Sequence, residues 1–196
     1  MAKQGQGPVP DADIPGLLGI SQAPRPAPGD EPLACGCPGS AAMSFDEAPA
    51  APARTAPAQT APAQTAQASQ LGHWPVQLHL VSPAAPYFQG RDVLLSADCV
   101  AYSVGDFHEK WLAGRSLAIA CPKLDSNLES YMEKLVALID EAKVNTLTVM
   151  TMEVPCCGGL LRMVQEASAR AERRVPIRHV HVGVRGDILS DDWLAM

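Results

Sequence analysis

Asn145-Thr-Leu-Thr-Val-Met-Thr-Met152 runs into Glu153-Val-Pro-Cys156-Cys157-Gly-Gly159, and then into a stretch carrying Leu161, Val164 and Ser168. The first part is short, apolar and rich in β-branched residues, as strands are. The last part repeats at three- and four-residue spacing, as one face of a helix does. Between them lies a tight connection containing a proline, two cysteines and two glycines. A strand leading through a short loop into a helix is half of a parallel crossover unit, so this stretch sets the expectation for the whole domain.

The rest of the C-terminal region follows the same alternation. Val76–Val81, Asp92–Ala97, Ser116–Cys121 and Ile177–Gly183 read as further strands. Asp106-Phe-His-Glu109 and Ser126-Asn-Leu-Glu129 read as capping boxes that open helices. The first helix is expected to pass Trp111 and stop near Gly114, and the second to bury Leu128, Met132, Leu135 and Ile139. Pro86–Gly90 leaves room for one helical turn between the first two strands. The fold class expected is α/β: a three-layer Rossmann-like domain with a mainly parallel five-stranded sheet over residues 71–196.

Residues 1–70 read differently. The chain has 196 residues, 47% of them hydrophobic and 18% charged, with 18 prolines, six cysteines and a net charge of −6. Twelve of the prolines precede residue 70. Thr55-Ala-Pro-Ala-Gln59 repeats as Thr60-Ala-Pro-Ala-Gln64, an Ala/Pro-rich pattern with little apolar surface to offset its ordering entropy. A disordered N-terminal tail and linker is therefore expected. Ile14–Ile20 is a greasy island within it, read either as unstructured chain or as a docking peptide. The acidic balance excludes the basic face of a nucleic-acid-binding protein. No apolar run is long enough for a membrane span, and the N-terminus leads into no apolar signal core. A cytoplasmic location is expected, where cysteines serve as thiols or metal ligands rather than as a disulfide framework.

The cysteines are the candidate site. Cys99 follows the second expected strand, Cys121 ends the third, and Cys156 and Cys157 follow the fourth. In an open parallel sheet the loops after the carboxyl ends of strands form the ligand crevice. Strands lie about 4.8 Å apart, so neighbouring strands would bring these thiols to one centre. Thiolates are the soft ligands that select iron–sulfur clusters, zinc and copper(I). Cys156 and Cys157 also open a helix, a position expected to depress a thiol pKa and to suit a nucleophile. Each cysteine taken alone reads equally as a small buried hydrophobe. Cys35-Gly-Cys37-Pro-Gly-Ser40 could add Cys35 and Cys37 from the tail as further ligands. His108 and Glu153 are expected near the thiols, as a ligand or proton carrier and as a carboxylate that orients a ligand. His79, His179 and His181 alternate with apolar residues and are expected on a sheet face. No Gly-x-Gly-x-x-Gly, Walker loop or Gly-x-Ser-x-Gly motif occurs.

A longer pattern joins these pieces. Cys37-Pro-Gly-Ser40, Trp74–Val81, Pro86-Tyr-Phe88, Ala97-Asp-Cys-Val100, Gly105-Asp-Phe-His108, Cys121-Pro-Lys-Leu-Asp125 and Met152-Glu-Val-Pro-Cys-Cys157 together resemble the C-terminal region of iron–sulfur cluster-binding, ferredoxin-like proteins of anaerobes. The resemblance covers residues 35–40 and 71–189. Members of that family usually carry an N-terminal ferredoxin module with two runs of Cys-x-x-Cys-x-x-Cys-x-x-x-Cys-Pro, and neither run is present in this sequence. The resemblance implies an anaerobic redox context, with Cys99, Cys121, Cys156 and Cys157 at matching positions. The function expected is a redox protein holding an iron–sulfur cluster, or zinc, or no metal. It would act in electron transfer or beside an oxidoreductase, with a redox protein as partner and room for a homo-oligomer. The alternatives are a metal-free module docking a separate ferredoxin or oxidoreductase, and a thiol enzyme.

Overall fold

The computed structural model describes residues 42–45 and 68–194. Ile14–Ile20, Cys35, Cys37 and the Thr55–Gln64 repeat lie outside the described residues. The main sheet is built from β3 (Asp92–Ala97), β4 (Ser116–Ala120), β5 (Thr146–Met152), β6 (Ile177–Val182) and β7 (Ile188–Trp193), in the spatial order β4-β3-β5-β6-β7. All neighbours pair in parallel except β6 with β7. The sheet is thus five-stranded and mainly parallel, as expected, but one of its members differs.

Val76–Val81 is not a strand. Only Gln77 bridges to Ile119, and Leu80 and Val81 both donate back to the Gln77 carbonyl, closing a turn. The alternating apolar residues of this stretch serve burial of a turn: Leu78 is 0% exposed and Val81 1%. The missing strand is β7. Its sequence Ile-Leu-Ser-Asp-Asp-Trp has little strand propensity, but an edge strand needs only backbone partners on one side and tolerates charge. Arg178 of β6 holds it through both Asp191 oxygens.

The helices form where expected, by other means. α2 (Leu128–Asp140) and α3 (Gly158–Arg170) each bury one stripe. The N-cap of α2 is Asn127, at φ 53°, and its side chain makes no capping hydrogen bond. Asp106 likewise makes no side-chain cap, and the segment it opens, Phe107–Leu112, is a π-helix that buries Phe107, Trp111 and Leu112. The Ala113 N–H reaches back five residues to the His108 carbonyl. This wider turn lets residues at both four- and five-residue spacing share one side. The short α1 (Val100–Ser103) directly follows Cys99.

Chain direction sorts these pieces into layers. From β3 the chain moves outward to β4; from β4 to β5 and on to β6 it moves the opposite way. Right-handed crossovers then put α1 and the π-helix on one face and α2 and α3 on the other. Arg178 on the first face sits 5.4 Å from the Trp111 ring centre.

A second, two-stranded sheet pairs β1 (Met43–Ser44) with β2 (His73–Trp74). Met43–Ser44 lies within the stretch expected to be without regular structure. His73, 1% exposed, anchors this flap to the domain: its Nε2 accepts the Leu117 N–H at 2.9 Å, and its ring stacks on Tyr87 at 3.9 Å. Burial lowers its pKa from 6.5 to about 4. The unfolded chain therefore takes up a proton at a pH where the folded chain does not. Stability is expected to be full above pH 6.5 and to fall as pH drops towards 4, by up to about 3 kcal/mol from this group. Urea unfolding of wild type and of His73→Gln at pH 7 and pH 4.5 checks this, the variant losing much of the pH dependence.

Candidate functional site

The three strands that precede cysteines are neighbours, in the order β4, β3, β5. Their carboxyl ends reach one edge, so Cys121, Cys99 and the Cys156–Cys157 pair stand side by side along it. β3 and β5 are also the adjacent strands whose onward connections depart to opposite faces. The gap beyond their ends is the topological switch point, where open α/β sheets hold ligands. Cys99, Cys156 and Cys157 flank that gap.

The four thiols differ in access. Cys99 and Cys156 are exposed, Cys121 is half-buried and Cys157 is buried. Pro155–Cys157 forms a single 3-10 turn, and Cys157 occupies the N-cap of α3. Burial pushes the Cys157 thiol up, against the depression expected at a helix N-terminus. A backbone hydrogen bond at Met152 opposes the shift, while the neighbouring Cys156 and Cys99 reinforce it. Desolvation of the thiolate is the largest cause of the rise. The same causes show that Cys99, Cys156 and Cys157 interact electrostatically in one space.

Cys121 belongs to a neighbouring network that the sequence reading did not pick out. Asp125 Oδ2 accepts the Cys121 N–H at 2.8 Å and the Tyr131 hydroxyl at 2.7 Å. Burial, then the hydrogen bond to Asp125, raise the Tyr131 pKa. Asp98, beside Cys99, is pushed up by burial and by the charge of Asp125. Asp98 and Asp125, on the loops after β3 and β4, therefore repel each other when both are charged. The signal was present in Cys121-Pro-Lys-Leu-Asp125, where an Asp four residues on can close the turn over the cysteine amide.

The other expected residues fall elsewhere. Glu153 does not turn to the thiols; its Oε1 accepts the Val184 N–H at 2.9 Å and ties down the loop between β6 and β7. His108 is exposed on the π-helix, and its Nδ1 accepts the Gln70 N–H at 3.1 Å. It shares an apolar cavity of about 320 Å³ with Asp98, Tyr102 and Leu117, on the π-helix side of the sheet. His179 and His181 lie on β6, with His179 at 2.9 Å from Thr151 Oγ1. His79 sits in the turn, 4.4 Å from the Tyr131 ring. Among the described residues, no three His, Cys, Asp or Glu side chains surround a common point at metal-binding geometry. An open groove of about 660 Å³ runs past Cys156, between Pro122 and Lys123 on one side and Pro155 and Gly159 on the other.

This architecture, with the candidate thiols beside a switch point, defines an α/β domain of the Rossmann-like type. The chain belongs to the Rossmann-like domain family, whose pattern matches residues 85–196. It is also similar to an uncharacterized protein of Archaeoglobus fulgidus, at 29% identity over 119 residues, which span 61% of this chain and 83% of that protein. No solved structure matches. No helix among the described residues is long and apolar enough to cross a membrane.

Access and pKa together set an order of reactivity. In the native, metal-free, reduced protein, N-ethylmaleimide at pH 7 is expected to label Cys99 and Cys156 first and Cys157 at least about tenfold more slowly. Urea should remove the difference. Timed quenching and peptide mass spectrometry read it directly.

Proposed function

We propose that the protein is a thiol-ligated metal-binding redox protein. Cys99, Cys121 and Cys156, with Cys157, would hold an iron–sulfur cluster or another thiophilic centre such as zinc. It would serve electron transfer or act as an accessory subunit of an oxidoreductase. One observation carries this reading: four thiols stand at the ends of three adjacent parallel strands, three of them at the switch point. The donor chemistry suits soft metals. The resemblance to ferredoxin-like proteins of anaerobes supports a cluster over zinc.

Among the described residues the side chains hold no closed ligand set, but Cys99 and Cys156 are exposed and can turn about χ1 without disturbing the core. Cys121 is steadied by Asp125 through its amide. A cluster, when bound, supplies one-electron capacity. The chain's part is to supply thiolates, fix the Cys121 backbone and keep one side of the centre dry through buried Cys157.

A second reading is favoured by the same edge. Tyr102, on α1, is 91% exposed, and Leu124 and Val184, on loops, are 83% and 58% exposed; all three follow strand ends. An apolar rim of this kind suits a metal-free module that docks a ferredoxin or oxidoreductase. Burial holds Cys157 above the ordinary thiol range, so a thiol-enzyme reading would rest on the exposed Cys156.

Anaerobic purification or reconstitution of the full chain with iron and sulfide, or with zinc, followed by metal analysis and visible absorption, tests the proposal. Stoichiometric metal is expected, with Cys121→Ser and Cys99→Ser each weakening retention by tenfold or more. Because binding displaces thiol protons, affinity is expected to rise with pH by about tenfold per unit for each proton released. A colourless, metal-free product with all six cysteines titrating as free thiols would sink the metal reading. Unchanged capture of a redox partner by such a product would favour the docking module.

A further inference from the structure

At the opposite end of the sheet, by the amino ends of β3 and β4, lies a polar cavity of about 230 Å³. Its walls include Arg91, Arg115, Tyr87, Ser116 and Ser44 of the β1 flap. Among the described residues, no carboxylate lines it. Arg91 and Arg115 thus line one small cavity with no carboxylate among its described lining residues, in a chain whose net charge is −6. Two like charges at one cavity repel, and an anion between them offsets that repulsion.

The two arginines are held differently. Arg115 Nη1 donates to the Trp111 carbonyl at 2.6 Å, at the end of the π-helix. That bond orients the guanidinium and leaves most of its five N–H donors for another partner. Arg91 has its backbone fixed on both sides, its N–H donating to Phe88 and its carbonyl accepting from Asn145. Among the described residues, its side chain has no hydrogen-bond or ion-pair partner. The Tyr87 hydroxyl is buried and unpartnered, and its ring is braced by the stack on His73. Burial raises its pKa, so it stays a protonated donor. One pre-set fork, one free fork and a spare hydroxyl make a donor-rich pocket, which is the chemistry of oxyanion recognition.

We infer that this cavity is a binding site for a small ligand carrying a phosphate or carboxylate group, clamped between Arg91 and Arg115. The site is separate from the thiols, a β4 length of five residues away, or about 16 Å at 3.3 Å per residue. It does not depend on the metal reading.

The test uses the full chain, with inorganic phosphate and succinate as probes against potassium chloride at matched ionic strength. Thermal denaturation and equilibrium dialysis are the readouts. At least one oxyanion is expected to raise the melting temperature and bind saturably. Arg91→Gln should weaken that binding tenfold or more without lowering the anion-free melting temperature. Arg91→Lys keeps the charge but loses the planar fork, and should fall between the two. A response to phosphate alone assigns a phosphate ligand, and to succinate alone a carboxylate. If neither oxyanion acts beyond chloride, or if Arg91→Gln binds as wild type does, the inference is wrong.

Discussion

Everything at the thiol edge depends on the pairing of β3 between β4 and β5. β3 is buried almost throughout, from Val93 to Ala97, and both its edges are used by parallel ladders. Parallel pairing forces the three strands to end at one edge. The opposite departures of the chain after β3 and β5 then open a gap between them. The two ladders hold the strand that precedes Cys99 between those that precede Cys121 and Cys156.

The edge so formed is electrostatically divided. On the β3–β5 side, Cys157 is kept protonated by burial and by its thiol neighbours. On the β4 side, the carboxylate of Asp125 is spent on the Cys121 amide and the Tyr131 hydroxyl. A soft cation arriving here would meet thiols it can deprotonate and a backbone already held in place. The amino end of the sheet has the contrary character, with arginines and no opposing carboxylate in the described cavity wall. The two ends thus suit ligands of opposite charge, and the strands keep them apart.

The β1–β2 flap shows how a weakly apolar segment is attached to such a domain. One buried imidazole hydrogen-bonds the flap to the main body. His73 supplies an acceptor for the Leu117 amide of β4, and burial lowers its pKa. This makes the flap's attachment sensitive to acid.

Much was readable from the residues. Asp92–Ala97, Ser116–Ala120 and Thr146–Met152 announce themselves because strands buried on both faces are nearly continuous in apolar and β-branched residues, and Ile177–Val182 by its β-branched residues bounded by Pro176 and Gly183. The placement of Cys99, Cys121, Cys156 and Cys157 after strand ends followed from those runs. Other features were not readable. β7 hides behind Ser190, Asp191 and Asp192, because an edge strand is specified by its partner's backbone rather than by its own side chains. Val76–Val81 imitates a strand, because a turn that buries Leu78 and Val81 can carry the same alternation. The Asp125–Tyr131 network, the diversion of Glu153 to Val184, and the cavity lined by both Arg91 and Arg115 each join residues from different elements. The sequence by itself determined the class of fold and which strands end in cysteine, since periodicity and composition are local. Only the tertiary structure decided that those strands are neighbours and that the switch point falls between Cys99 and Cys156, since strand order is set by the packing of the whole sheet.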